Sequence, residues 1–271
     1  MLVCGLDIGA ATTKAVILDD GRMVACSVLP TGQSVNLATD KALEEATRKL
    51  GLGIADFAAV ITTGYGRHAV PFAHRAISEI ICHAKGANFL LPSVRTVIDI
   101  GGQDSKVIAL DGDGNVTNFV MNDKCAAGTG RFIEVMAQVL EVPLEDMGTL
   151  SLGSAKPCMI SSTCTVFAES EVVSLRAKGE SRENLIAGIH KGIASRTVTM
   201  GRSVGFHKDM AFTGGVAKNA GVKGFLEAAI GCQLLVPEEP QIIGALGAAL
   251  LAAEETAQPL RHEGTKKGYG V

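Results

Sequence analysis

DIGAATTK at residues 7–14 returns later in the chain as DIGGQDSK at residues 99–106. The two stretches match at Asp, Ile and Gly, at one hydroxyl residue and at the final Lys. Each follows an apolar segment and precedes a second one, which ends in a turn of acidic residues and Gly. A repeat with matching flanks predicts two halves that are built in the same way.

Each copy of the repeat predicts a meander of antiparallel hairpins, because it reads as strand, Gly-rich turn, strand, Asp-Gly turn and third strand. In the first copy the strands are predicted at residues 2–6, 15–18 and 23–28, and in the second at 97–98, 107–110 and 116–120. The two meanders indicate the start of each half.

Helical spacing of apolar residues predicts helices after each meander. In the first half they are expected at residues 34–50 and about 76–90, with a buried strand at 58–62 between them. In the second half, helices are expected near 129–140, 166–177, 182–204 and from about 217, with a strand at 210–212. Strands followed by helices make this an α/β protein.

The domain division follows from the repeat. Residues 1–95 are predicted to form the first half and residues 96–240 the second. The last helix, 241–253 by its pattern and 241–255 in the division, is rich in Gly and Ala, so it is expected to return to the first half and lie close to another backbone. Residues 256–271 are expected to be a solvated tail.

Composition and charge argue against several classes of protein. The 271 residues carry 25 basic and 28 acidic side chains and no Trp, which disfavours nucleic acid as a partner. No apolar run reaches the roughly 20 residues of a membrane span, and no secretory signal precedes the first strand. An odd seven cysteines disfavour a disulfide framework, so we expect a cytoplasmic protein.

The two hairpins have the chemistry of a phosphate site. A Gly-rich turn with hydroxyl residues can present backbone N–H groups to phosphate, and Lys14 and Lys106 add positive charge. Asp7 and Asp99 end their first strands, where carboxylates can hold Mg²⁺ through its water shell. The competing interpretation is that Asp-x-Gly only caps a hairpin, which one copy alone would not exclude.

A third element, FTGGVAKN at residues 212–219, runs from a strand into a Gly-Gly turn and the start of a helix. Helix N-terminal N–H groups bind anions, so nucleotide can meet the chain here. Together, the three motifs resemble, in order and spacing, the two phosphate motifs and the adenosine motif of the actin, sugar-kinase and Hsp70 superfamily.

That resemblance implies two RNase H-like domains of the actin-like ATPase type, with ATP or ADP and Mg²⁺ in the cleft between them. The residues that it places at the nucleotide are Asp7, Gly9, Ala10, Ala11, Thr12, Thr13, Lys14, Asp99, Gly101, Gly102, Gln103, Ser105, Lys106, Gly214, Gly215, Lys218 and Asn219. Gln103 and Asp104 lie beside the second hairpin, and either can orient the attacking water. Gln103 is the preferred candidate.

Two cysteines precede predicted helices, Cys125 in NDKCAAGTGRF and Cys164 in SSTCTVFAE. A helix N-terminus favours the thiolate that a metal or an iron–sulfur cluster needs. The competing interpretation, a small packed side chain, is applied to Cys4, Cys26 and Cys82 and to Cys232, while Cys158 is left open. The six histidines show no metal-ligand spacing and are interpreted as structural or solvated.

The cysteine segments and the ATPase motifs together resemble the activators of 2-hydroxyacyl-CoA dehydratases and the ATPase subunits of benzoyl-CoA reductase. This resemblance implies a homodimer with one [4Fe-4S] cluster, bound by Cys125 and Cys164 of each subunit. It also implies ATP-driven electron transfer to a partner dehydratase or reductase, with ferredoxin or flavodoxin as electron donor.

Two other functions remain open from the sequence. A metabolite kinase of the same fold needs a carboxylate facing the γ-phosphate, for which Asp104 is a candidate, but it leaves Cys125 and Cys164 without a role. A nucleotide-gated binding module would change partners without redox chemistry.

Overall fold

The computed structural model describes residues 1–161 and 164–257. Its first half is a sheet with helices packed on it. The elements are β1 (Leu2–Ile8), β2 (Thr12–Asp19), β3 (Arg22–Pro30), α1 (Val35–Thr47), β4 (Ala59–Thr63), β5 (Arg75–Ala76) and α2 (Glu79–Leu90).

The second half repeats the meander and adds more helices. Its elements are β6 (Thr96–Ile100), β7 (Ser105–Leu110), β8 (Val116–Asn122), α3 (Gly130–Leu140), α4 (Met147–Leu152), α5 (Thr165–Ala177), α6 (Arg182–Gly201), β9 (Met210–Thr213), α7 (Ala220–Ile230) and α8 (Ile243–Ala257). Within the described ranges, no helix combines the length and the apolar character needed to cross a membrane.

The two sheets share one strand order. The first runs β3-β2-β1-β4-β5 and the second β8-β7-β6-β9, with β1 parallel to β4 and β6 parallel to β9. The hairpin registers also match, since Asp7 pairs with Lys14 and Asp99 with Lys106. The predicted duplicated α/β fold is therefore confirmed.

Some elements differ from the sequence prediction. The helix expected from about residue 217 begins at Ala220, because Gly215–Lys218 form a 3₁₀ turn and Asn219 caps α7 by accepting a hydrogen bond from the Val222 amide at 3.0 Å. β5 and α4 were not predicted, since two and six residues are too short for a periodic pattern to show.

The last helix, α8, lies against the first half at very short range. A Cβ on Gly5 of β1 would overlap the backbone of Ala245 and Ala249, and one on Gly247 would overlap the backbone of Cys82 in α2. Glycine at these crossing points lets the backbones approach as closely as they do. Of the predicted tail, Thr256 and Ala257 belong to α8, and residues 258–271 lie outside the described ranges.

Candidate functional site

A cleft of about 1000 Å³ lies between the two halves. Its walls include both hairpin turns and the Gly-Gly turn after β9. The predicted site residues that line it are Asp7, Gly9, Ala10, Ala11, Thr12, Lys14, Asp99, Gly101, Gly102, Gln103, Asp104, Lys106, Gly214, Gly215, Lys218 and Asn219. The fold thus brings together residues that are more than two hundred positions apart in the chain.

Two predicted nucleotide residues, Thr13 and Ser105, do not line this cleft. Both side chains are buried, and the Thr13 hydroxyl is hydrogen-bonded to that of Thr31 at 2.9 Å. Neighbouring side chains alternate across a strand, so when Thr12 and Lys106 face the cleft, Thr13 and Ser105 face the other way. Their hydroxyls support the sheets and do not reach a ligand in the cleft.

The two hairpin turns are closed by the same backbone bond. The Gly9 amide donates to the Thr12 carbonyl at 3.0 Å, and the Gly101 amide donates to the Asp104 carbonyl at 3.0 Å. A Cβ on Gly102 would overlap the side chain of Ala11, so the tips of the two turns touch each other. Such open glycine turns leave room for phosphate oxygens to approach the backbone.

The structure shows a third repeated feature that sequence reasoning found in one half only. β4 ends in Thr63-Gly64 and β9 ends in Thr213-Gly214, and both glycines have φ of +84°. Thr63 pairs with Asp7, and Thr213 pairs with Asp99 and donates its hydroxyl to that carboxylate at 2.8 Å. The dipeptide Thr-Gly after an apolar strand is the signal that could have revealed the first copy.

Lys106 is held by carboxylates on the cleft floor. It is 2% exposed, and its Nζ lies 3.2 Å from Asp99, 2.9 Å from Asp104 and 3.3 Å from Glu79. Burial alone would lower the pKa of this ammonium group, but the three carboxylates outweigh it and raise the pKa. Lys14, its counterpart in the first half, has one such partner, Asp7, at 3.1 Å.

His83 is a functional candidate that sequence reasoning interpreted as structural or solvated. It lies on α2, with Nε2 3.3 Å from an Asp99 oxygen and Nδ1 2.8 Å from the Glu79 carbonyl oxygen. Burial opposes its positive charge, but Asp99 outweighs burial and raises the pKa of His83 to about 9. Burial likewise opposes ionisation of Asp99, yet His83 and Lys106 hold its pKa well below the usual value.

The charge on His83 predicts a pH-dependent stability. Its folded pKa lies above the unfolded value of 6.5, so its contribution is fully present below pH 6.5 and is lost as the pH rises through about 9. We expect the stability advantage of wild type over His83→Gln to shrink by about 3 kcal/mol over that interval. Urea unfolding in magnesium-free buffer at several pH values measures it, and parallel curves would contradict it. His68→Gln, at an exposed position, is the control.

The two candidate cluster ligands lie outside the cleft lining, on segments of different geometry. Cys164 is the N-cap residue of α5, as predicted from its position before a helix. Cys125 lies in the loop between β8 and α3, ahead of the N-cap Thr129, so the helix-terminus argument applies to Cys164 and not to Cys125. The Asn122 side chain fixes this loop by donating to the Cys125 carbonyl at 2.8 Å.

The Cys125 loop leads directly into a contact with the second hairpin. At the start of α3, the Gly130 amide donates to the Gly101 carbonyl at 2.9 Å, and the Arg131 amide donates to the Gly102 carbonyl at 2.8 Å. A movement of the hairpin tip is therefore passed to the first turn of α3. Cys125 sits one loop away from that turn.

The other cysteines differ in their surroundings. Burial raises the pKa of Cys4 and Cys82 to about 12, so these thiols stay protonated, in line with a packing role. Burial also raises the pKa of Cys158, whose amide donates to the Asn184 carbonyl at 2.9 Å. Among the described residues, no three His, Cys, Asp or Glu side chains are arranged to hold a metal ion. Cys125 and Cys164 fit a cluster only if a second copy supplies two more thiols.

Two sheets of one strand order, with glycine hairpins and a Gly-Gly turn meeting at a cleft, define an ATPase of the actin-like fold. The chain belongs to the BadF/BadG/BcrA/BcrD ATPase family, whose model matches residues 4–252.

Similar proteins are named as dehydratase activators. The activator of lactoyl-CoA dehydratase from Anaerotignum propionicum is 49% identical over 255 residues, covering 94% of this chain and 98% of that protein. The crystal structure of (R)-2-hydroxyglutaryl-CoA dehydratase component A from Acidaminococcus fermentans has a TM-score of 0.91 at 46% identity and covers 95% of this chain and all of that one. The 2-hydroxyisocaproyl-CoA dehydratase activator from Clostridium difficile, with bound ADPNP, has a TM-score of 0.89 at 45% identity, covering 94% and 95%.

Proposed function

We propose that this ATPase drives electron transfer to a partner 2-hydroxyacyl-CoA dehydratase or a related reductase, with a [4Fe-4S] cluster shared between two copies of the chain. The observation that carries the proposal is the pair of backbone hydrogen bonds between the second hairpin and the start of α3. They connect the place where ATP phosphates are expected to the loop that carries Cys125. A nucleotide-dependent change in the cleft can thus alter the surroundings of that thiol.

The surface around Cys164 supports a second copy of this chain as the other partner of the cluster. Met159, Val166 and Phe167 are 91%, 67% and 67% exposed, whereas Ala168 and Val172 on the same helix are buried in the core. Large apolar side chains beside a half-buried thiol suit an interface that excludes water. A bound cluster supplies transfer of one electron at a time. A two-fold axis here brings together four thiols, two from each chain.

In the cleft, we propose that Asp7 and Asp99 hold the waters of Mg²⁺ and that the hairpin turns receive the phosphates of ATP. Asp104 is bound to Lys106 at 2.9 Å, so its carboxylate is already engaged. Gln103 is exposed at the tip of the turn and lines the cleft. These positions favour Gln103 as the residue that orients the attacking water.

The electron donor is proposed to be a ferredoxin or flavodoxin, and the proposed site of action is the cytoplasm, where ATP is available. A benzoyl-CoA reductase type of partner is the second candidate, since the chain belongs to a family that includes both. A metabolite kinase or a nucleotide-gated module is disfavoured, because neither gives Cys125 and Cys164 a role.

Replacing Gln103 with Ala tests the coupling of ATP hydrolysis to electron transfer. We expect ATP hydrolysis to fall by about two orders of magnitude, as when an oriented polar group is lost from a phosphoryl-transfer site. Activation of a 2-hydroxyacyl-CoA dehydratase should fall in parallel, while ADPNP still binds. Both rates are measured without oxygen and with an artificial reductant.

Asp111→Asn, in the turn after β7 and away from the cleft lining, is the control for Gln103→Ala. Full activation of the partner at a hundredfold lower rate of hydrolysis would contradict the coupling. Failure of wild-type protein to activate any dehydratase or reductase would contradict the proposed function itself.

A further inference from the structure

The cations of the cleft differ in whether a carboxylate already neutralises them. Within the described residues, the positively charged or protonatable side chains that line the cleft are Lys14, Arg67, His83, Lys106 and Lys218. Lys14 is paired with Asp7, His83 and Lys106 with Asp99, and Lys218 with Glu239 at 2.8 Å. Arg67 is the exception, because no ion pair to a described carboxylate includes it.

The Arg67 guanidinium makes one described hydrogen bond, which Nη1 donates to the Gly64 carbonyl at 3.0 Å. A guanidinium carries five N–H donors in a planar fork, so donors remain for a ligand. The side chain is partly buried at the cleft wall. A full positive charge therefore faces the cleft without an anion of the protein beside it.

The backbone fixes Arg67 with respect to the first hairpin. Its carbonyl accepts the Thr62 hydroxyl at 2.8 Å, and the Gly66 amide donates to the Ile8 carbonyl at 2.9 Å. Gly64 has φ of +84°, and a Cβ there would overlap an Asp7 carboxylate oxygen. The turn at residues 64–67 thus packs on the end of β1, next to the Asp7 carboxylate.

We propose that Arg67 contacts the terminal phosphate of ATP and makes the site distinguish ATP from ADP. ATP carries more negative charge than ADP at its phosphate end, and a planar guanidinium fork binds phosphate oxygens in pairs. Arg67 lies on the first half, whereas the Gly-Gly turn belongs to the second, so this contact needs both walls of the cleft. Loss of the terminal phosphate would release the contact and with it one link between the walls.

During hydrolysis the water oxygen bonds to the terminal phosphorus, the bond from phosphorus to the bridging oxygen breaks, and ADP leaves with that electron pair. The water proton passes to solvent. Arg67 stabilises the charge on the transferred group, as a guanidinium supplied in cis does in other nucleotide hydrolases. This inference rests on the ATPase activity and is independent of the proposed electron transfer.

Calorimetric titration with ADPNP and with ADP, in the presence of Mg²⁺, tests the role of Arg67. We expect Arg67→Gln to weaken ADPNP binding about 10- to 100-fold and ADP binding less than about 2-fold. Arg67→Lys keeps the charge without the fork and is expected to fall between wild type and Arg67→Gln. ATP hydrolysis is measured alongside.

Arg75→Gln is the matched control, because Arg75 is on the same half but is paired with Glu255 and is absent from the cleft lining. Equal weakening of ADPNP and ADP by Arg67→Gln would overturn the proposal, and so would unchanged affinity for both. If Arg67→Gln does not fold, the same comparison is made with Arg67→Lys. The titrations need no cluster and no partner, so their failure is distinct from failure of the proposed electron transfer.

Discussion

Replacing Cys164 with Ala is expected to remove the iron from protein that is purified without oxygen. Wild type should contain about four iron and four acid-labile sulfide ions per two chains, since a [4Fe-4S] cluster takes four thiolates. One Cys164 from each copy accounts for half of the proposed ligands. Activation of the partner should be lost with the iron, while ADPNP affinity stays at the wild-type value because Cys164 does not line the cleft. Iron, sulfide and nucleotide affinity are measured on one preparation.

Cys26→Ala is the control for this experiment, because Cys26 is exposed on β3, in the other half of the chain. It should retain all the iron. Full iron content in the Cys164 variant would contradict the proposed ligand. Folded wild-type protein without iron would instead favour the kinase or the nucleotide-gated module.

Replacing Lys106 with Met is expected to lower the free energy of unfolding by about 3–5 kcal/mol at pH 7. The variant leaves Asp99, Asp104 and Glu79 around an apolar side chain, and Asp99 is itself only 2% exposed. The cost is that of ionised carboxylates without their cation, so it is largest where they are ionised. It should shrink below about pH 4, where they take up protons. Urea unfolding at pH 7 and pH 4 measures both values.

Lys14→Met is the matched control, because Lys14 occupies the same position in the first hairpin but contacts a single carboxylate. Its side chain is 12% exposed, against 2% for Lys106. We expect its replacement to cost less than half as much. Equal losses in the two variants would show that the carboxylates around Lys106 do not set its contribution.

The sequence predicted the features that local chemistry determines. The Asp-to-Lys repeat fixed both hairpins and their register, because glycine turns and alternating strands are set by neighbouring residues. The same alternation, applied more strictly, would have turned Thr13 and Ser105 away from the cleft. The division at residue 95 and the ligand roles of Cys125 and Cys164 remain predictions.

What the sequence did not show is the part of the site that α2 and the turn after β4 contribute. His83, Glu79 and Arg67 have no motif of their own, and each gains its meaning from what the fold places beside it. Distances between such residues depend on how the two sheets pack. Local spacing does not encode that packing, so a charge on the cleft floor could not be predicted from it.

A ribosome makes β1 and α2 long before it makes α8, which packs against both. Domains usually complete themselves in the order in which they emerge. Here residues 96–230 contain all the strands of the second sheet and α3 to α7, so the later half can finish its own sheet first. The earlier half must wait with the apolar side chains Val3, Val16 and Ile61 uncovered until residues 243–257 arrive. The growing chain therefore depends on chaperones most during the synthesis of its second half.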